Sequence, residues 1–115
     1  MPSYEQLDGL KYLEAVIYES IRLTPPVSVL FRYSSDETTI ANTKFPAGTF
    51  FYANVKGLHR HPQHWERPLE FNPDRFFLDK DKIERNSFLT FGAGPRNCPG
   101  NLFWGVNSSP NSKLK

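Results

Sequence analysis

Cysteine is almost absent: Cys98 stands alone in 115 residues, so no internal disulfide can form. A lone cysteine fits a reducing compartment, where it is either an inert core residue or one that reacts or binds a metal. Long apolar runs are missing too, and nothing approaches the roughly 20 residues of a membrane-spanning helix. Met1 to Leu10 lacks the apolar stretch of a secretory signal peptide. As written, the chain is expected to be soluble and unanchored. Charge of one sign is scarce as well: the net charge is +2, with acids and bases interleaved. Without a basic stripe, nucleic acid is excluded as a partner. Neither a Gly-x-Ser-x-Gly elbow nor a phosphate loop occurs, which leaves hydrolase and nucleotide-binding functions unsupported. Internal repeats, low-complexity tracts and internal domain boundaries are also lacking, so the chain is one small domain or a piece of a larger one.

What is plentiful is proline and phenylalanine, 10 of each. The prolines fall between candidate elements and predict many loops, while the phenylalanines offer large apolar surface to a core or an apolar cofactor. Helical spacing is clearest from Leu7 to Leu23, where Leu10, Leu13, Ile17 and Ile21 recur and Tyr12, Val16 and Leu23 widen the face. An apolar arc covering about half the wheel predicts a helix buried on more than one side. Thr24-Pro25-Pro26 ends it, because proline cannot continue the ladder and pushes its predecessor out of the helical region. Val27 to Tyr33, Thr38 to Ile40 and Thr49 to Val55 are rich in β-formers and predict a small antiparallel sheet. Between the last two, Phe45-Pro46-Ala47-Gly48 reads as a turn with proline at its first central position and glycine closing it. From Gly57 to Asn86, prolines 62, 68 and 73 alternate with Trp65, Phe71, Phe76 and Phe77, predicting an irregular meander pinned by buried rings. Asp79 to Arg85 alternates in charge and reads as a solvated loop or short helix.

Phe91-Gly92-Ala93-Gly94-Pro95-Arg96-Asn97-Cys98-Pro99-Gly100 carries the chemistry. Two glycines and two prolines make a tight irregular loop that brings backbone close to a ligand. Backbone N–H groups in such a turn can face a thiolate and stabilise it. Arg96, two residues before the thiol, adds a fixed positive charge and a fork suited to carboxylates. A thiolate beside an arginine suits a metal that bears carboxylates nearby, a description that haem meets with its iron and two propionates. A small buried hydrophobe is the alternative for Cys98. His59, His61 and His64 are poorly spaced for one tetrahedral zinc site, and no second cysteine or acidic cluster completes it.

The segment resembles the cytochrome P450 haem-binding signature Phe-x-x-Gly-x-Arg-x-Cys-x-Gly, matching Phe91, Gly94, Arg96, Cys98 and Gly100. Chance agreement at five fixed residues is expected at under about one start position in a million. Glu19-Ser20-Ile21-Arg22 resembles the family's Glu-x-x-Arg, whose residues are neighbours three apart on a helix and can pair. A surface ion pair is the alternative, but the apolar helix around them argues for a buried one. Arg75, in Pro73-Asp74-Arg75-Phe76, resembles the arginine that completes this network and locks the meander onto the helix. Phe45-Pro46-Ala47-Gly48-Thr49 and Leu58-His59-Arg60 through Trp65 and Pro68 are weaker correspondences. Arg32 stands where many members place an arginine that reaches a haem propionate, with a solvated strand residue as the alternative.

The resemblance implies a mainly α chain with a small antiparallel β-sheet: the C-terminal fragment of the cytochrome P450 fold, comprising helix, short strands, proline-rich meander and cysteine loop. Residues 1–104 are the family portion and 105–115 a divergent polar tail, expected to be disordered and resembling sequence from another frame or an unspliced intron. Trp104 and Asn107 stand where the family's next helix has an alanine and an acid, and Gly105 and Pro110 would break that helix. By resemblance, Cys98 is the axial ligand of haem b (iron protoporphyrin IX). Arg96, Phe91, Gly94, Gly100 and Arg32 are expected to line the cofactor, and Glu19, Arg22 and Arg75 to form the structural network. The implied full-length parent is a membrane-anchored monooxygenase on the cytosolic face of the endoplasmic reticulum. It would take electrons from a reductase and insert one oxygen atom of O₂ into an apolar small-molecule substrate. The family's central helix, most of its substrate pocket and its N-terminal membrane anchor have no counterpart here. The isolated chain is therefore expected to be inactive and to aggregate or turn molten; the alternative function is that of a truncated, non-catalytic or haem-binding remnant.

Overall fold

A computed structural model describes residues 10–84 and 86–102. The expected start of the first helix at Leu7 and the tail from residue 105, with Trp104, lie outside these residues. Helix α1 spans Lys11–Leu23. At its end the Thr24 N–H and hydroxyl both donate to the Ser20 carbonyl (2.9 and 2.8 Å), and Arg60 Nη2 donates to Leu23 O (2.6 Å). These donors satisfy terminal carbonyls that the prolines behind them cannot serve.

The helix buries a different face from the one its leucines predict. Ala15, Tyr18, Glu19 and Arg22 are buried, whereas Leu10, Tyr12 and Leu13 are about half exposed. Residues 15, 18, 19 and 22 lie on roughly the opposite side of the wheel from 10, 13, 17 and 21. The meander packs against the stripe centred on Glu19 and Arg22, Ile21 at its margin is partly buried against the core, and among the described residues nothing covers Leu10 and Leu13.

The expected sheet is two separate antiparallel ribbons. Strand β1 (Val29–Tyr33) pairs with β4 (Phe50–Asn54), setting Arg32 opposite Phe51 and Phe31 opposite Tyr52. Between them, β2 (Thr38–Ile40) and β3 (Thr43–Phe45) form a hairpin. Ala41 and Asn42 turn that hairpin with positive φ values of 46° and 63°, the geometry whose twist matches the flanking strands. The Pro46 turn bends at Ala47 and Gly48, one residue later than its proline suggests. Gly48 takes the left-handed φ of 86°, and the Thr49 hydroxyl donates to Pro46 O (2.7 Å).

Beyond β4 come the short helices α2 (Val55–Leu58) and α3 (Asp74–Phe77) and a 3₁₀ turn at Lys80–Lys82. Asn54 starts α2, its side-chain oxygen accepting from the Gly57 N–H (2.8 Å). Ala15, Tyr18, Trp65, Phe76 and Phe88 make the core, with Ile21, Ile83 and Phe91 packed against it. Tyr18 meets Phe88 edge-on at 5.8 Å, and Phe76 meets Phe88 at 5.1 Å, arrangements worth about 0.5–1.5 kcal/mol beyond area burial. Not all of the meander's rings are buried: Phe71 and Phe77 stay about half exposed, Phe77 resting edge-on against the equally exposed Tyr12.

Candidate functional site

Two polar assemblies stand out, one buried and one exposed. The buried one is centred on Arg22, which like Glu19 has 0% exposure. Helical spacing sets the two carboxylate oxygens against the guanidinium fork: Arg22 Nε donates to Glu19 Oε2 (2.7 Å) and Nη2 to Oε1 (2.8 Å). Its remaining N–H groups reach three backbone carbonyls of the meander. Nη1 donates to His59 O and Pro68 O (2.7 Å each), and Nη2 to Glu70 O (3.2 Å). All five guanidinium donors are thereby used. Glu19 Oε1 also accepts from the Asn72 N–H (2.9 Å). A buried ion pair is stable only when its spare donors and acceptors are satisfied in this way. The Arg22 guanidinium also lies over the Trp65 ring, 5.0 Å from its centroid.

Arg75 joins from α3. Its Nε lies 3.4 Å from Glu19 Oε1, close enough for charge attraction but outside hydrogen-bond geometry, and its Nη2 donates to Arg67 O (2.9 Å). One arginine therefore grips carbonyls from residues 59 to 70, and the second reaches the same carboxylate from residue 75. The meander is tied to α1 at both ends by groups that are costly to leave unpaired.

The exposed assembly is the cysteine loop. Phe91 is half-buried against the core and anchors one end. The Cys98 N–H donates to Phe91 O (2.8 Å) and closes the loop; inside it Gly92 N–H donates to Leu89 O (2.9 Å) and Asn97 N–H to Gly94 O (3.2 Å). Gly92 and Gly94 adopt φ values of 73° and 76°, conformations that side-chain-bearing residues seldom take. At Gly94 a Cβ would meet nothing within 4 Å, so glycine serves backbone conformation there rather than space. At Gly100 a Cβ would sit 3.5 Å from Cys98 Sγ, so its absence leaves that flank of the sulfur open. Cys98 is free and exposed. Arg96 ends the 3₁₀ turn Gly94–Arg96 and is exposed, and a further 3₁₀ turn, Pro99–Leu102, follows the cysteine.

Phe91, Gly94, Arg96, Cys98 and Gly100 thus share one loop, while Glu19, Arg22 and Arg75 share the buried cluster. Arg32 belongs to neither: it is exposed on β1, where its guanidinium donates to the carbonyl of Phe31 (2.9 Å). The buried-hydrophobe alternative for Cys98 does not describe an exposed thiol. A soft sulfur donor on an open, glycine-shaped loop, with a cation two residues away, would suit haem iron.

One residue that links the assemblies was not singled out by sequence reasoning. His59 has 0% exposure, and burial pushes its imidazole well below the usual range, to about 4. Its carbonyl accepts from Arg22, and its Nε2 accepts from the Leu89 N–H (2.9 Å). The neighbouring histidines are used elsewhere: His61 Nδ1 accepts from the Gln63 N–H, and His64 pairs with Glu84. Nothing in the spacing of the three histidines separates the buried one from its exposed neighbours. Only the aromatic density around residue 59, with Trp65 and Phe88 both in the core, hints at it.

The cytochrome P450 family model matches residues 1–104. Cytochrome P450 4d2 of Drosophila melanogaster is 42% identical over 97 residues, covering 84% of this chain and 19% of that protein. Cytochrome P450 3A6 of Oryctolagus cuniculus is 40% identical over 104 residues, covering 90% of this chain and 21% of that protein. Thromboxane-A synthase of Mus musculus is 39% identical over 102 residues, covering 86% and 19%. The chain spans about a fifth of the length of these relatives. A complete cysteine-loop signature, a buried Glu–Arg pair in the expected order and a family match across nine-tenths of the residues agree, and the chain belongs to the cytochrome P450 family.

Proposed function

We propose that this chain supplies the haem-thiolate end of a monooxygenase, with Cys98 as the axial ligand of haem b. The observation that carries the proposal is the cysteine loop: a free, exposed thiol whose backbone is fixed by the Phe91–Cys98 hydrogen bond and whose flank Gly100 leaves open. Phe91 packs the base of the loop into the core, Gly94 allows the turn, and Arg96 offers a cation to a propionate. Arg32, on the β1–β4 ribbon, is a second propionate candidate. Haem held by a thiolate supplies the oxygen chemistry, the ligand donating electron density that favours O–O cleavage. This chain's own part is to hold the sulfur, orient the group and shield its edge.

In the complete protein the reaction would insert one atom of O₂ into an apolar small molecule and reduce the other, with electrons from a reductase partner. The expected location is the cytosolic face of the endoplasmic reticulum membrane. Among the described residues no helix is long and apolar enough to cross a membrane.

The test is the reduced, carbon monoxide-treated absorption spectrum of the chain with added haem, beside Cys98→Ser. A strongly red-shifted Soret band in the native chain and its absence in the variant are expected. A native spectrum matching that of the variant would overturn Cys98 as the ligand.

A further inference from the structure

His59 contacts both the ion-pair cluster and the residue that leads into the cysteine loop. Its ring is completely buried and stacks on Phe88, with centroids 5.0 Å apart and planes 19° from parallel. A backbone N–H can only donate, so the Nε2 that meets Leu89 N at 2.9 Å must carry a lone pair. The ring proton then sits on Nδ1, which has no hydrogen-bond partner among the described residues. A buried polar atom left unpaired costs free energy, so a histidine held in this tautomer must contribute through its other nitrogen. That nitrogen holds the residue at which the cysteine loop begins: Leu89 O accepts from Gly92 N, and two residues on Phe91 O accepts from Cys98 N. At its main-chain end, His59 O is gripped by Arg22.

We propose that His59 is a positioning residue for the cysteine loop, its Nε2 lone pair fixing Leu89, and through Leu89 the Gly92 and Cys98 backbone, to the Glu19–Arg22–Arg75 cluster. Among the described residues the imidazole is a polar strut between the Arg22 cluster on helix α1 and the loop. The role goes beyond haem ligation and requires no haem, so it stands or falls separately from the function proposed above.

The experiment compares His59→Phe with His59→Gln in the full 115-residue chain, reading amide hydrogen exchange residue by residue. Phe keeps the ring that stacks on Phe88 but has no lone pair; Gln loses the ring but can present an amide oxygen near the place of Nε2. Expected is a loss of protection of about tenfold at Leu89 and Gly92 in His59→Phe, with near-native values in His59→Gln and little change within α1. Equal protection at Leu89 in the native chain and His59→Phe, or a larger loss in His59→Gln than in His59→Phe, would overturn the proposal, since packing alone would then account for His59. Should either variant fail to fold, imidazole nitrogen resonances of the unmodified chain decide the matter. An unprotonated Nε2 coupled through the hydrogen bond to the Leu89 amide supports the role, and a protonated Nε2 contradicts it.

Discussion

The helical half of the chain and its β ribbons handle burial in opposite ways. Around α1, charged and polar groups with no exposure at all (Glu19, Arg22, His59) sit inside an aromatic shell and are paired through backbone carbonyls and amides. On the β1–β4 ribbon the large apolar residues Phe31, Tyr33, Phe50 and Tyr52 are all more than half exposed. Composition alone would suggest the reverse. A polar cluster can organise a segment when every donor has an acceptor, whereas among the described residues no second layer covers the apolar side chains of the two-stranded ribbon. The leucine-bearing side of α1 behaves like the ribbon.

The sharpest way to break this contrast is to remove the carboxylate. Glu19→Ala would leave Arg22 buried without its counter-charge and is expected to cost about 3–5 kcal/mol, which urea unfolding followed by tryptophan fluorescence would detect. A loss below about 1 kcal/mol would mean that the pair behaves as a surface bridge. Acidification comes next. His59 titrates at about 4 in the folded chain against an ordinary 6.5, because burial disfavours its charged form. The unfolded chain therefore binds the proton first, and the His59 contribution is fully present above pH 6.5 and is lost as pH falls towards 4. The full loss is on the order of 3 kcal/mol. His59→Gln should lack this part of the pH dependence, and identical pH profiles for variant and native chain would show that His59 does not contribute.

Arg75→Met should be milder, about 2 kcal/mol, because Glu19 keeps its bonds to Arg22 and Asn72 while Arg67 O loses a charged donor. Destabilisation equal to that of Glu19→Ala would make Arg75 an equal member of the cluster instead of an accessory. The smallest expected effect lies on the ribbon. Tyr52→Ser should move stability by no more than about 0.5 kcal/mol while lowering self-association in sedimentation velocity, because it trims an exposed apolar patch. A large stability loss there would mean that the ribbon is packed in solution, and the contrast between the two halves would fail.

How far the sequence disclosed this arrangement depended on the kind of signal. Prolines 25 and 26 marked the end of α1, and the run through Thr38–Ile40 marked β2, because backbone chemistry acts locally. The Ala41-Asn42 hairpin and its second strand β3 stayed hidden, because alanine gives no sign of a positive φ. The buried face of α1 was misjudged because hydrophobic periodicity assumes that the most apolar side is the covered one. Here Glu19 and Arg22 are the covered side, to which their resemblance to a family motif and the apolar helix around them had pointed. Arg22's grip on the carbonyls of residues 59, 68 and 70 could not be read from side-chain identity, since any residue supplies a carbonyl. The cysteine loop was the most legible part, because glycines at positive φ, prolines and a lone thiol are all written in residue type.

The central claim is that Cys98 is the residue that takes the iron. X-ray absorption at the iron edge of the haem-loaded chain tests it most directly, with Cys98→Ser beside it. One sulfur atom bonded to iron in the native chain, replaced by oxygen or nitrogen in the variant, is the predicted result. Iron bonded only to nitrogen and oxygen in the native chain would contradict it.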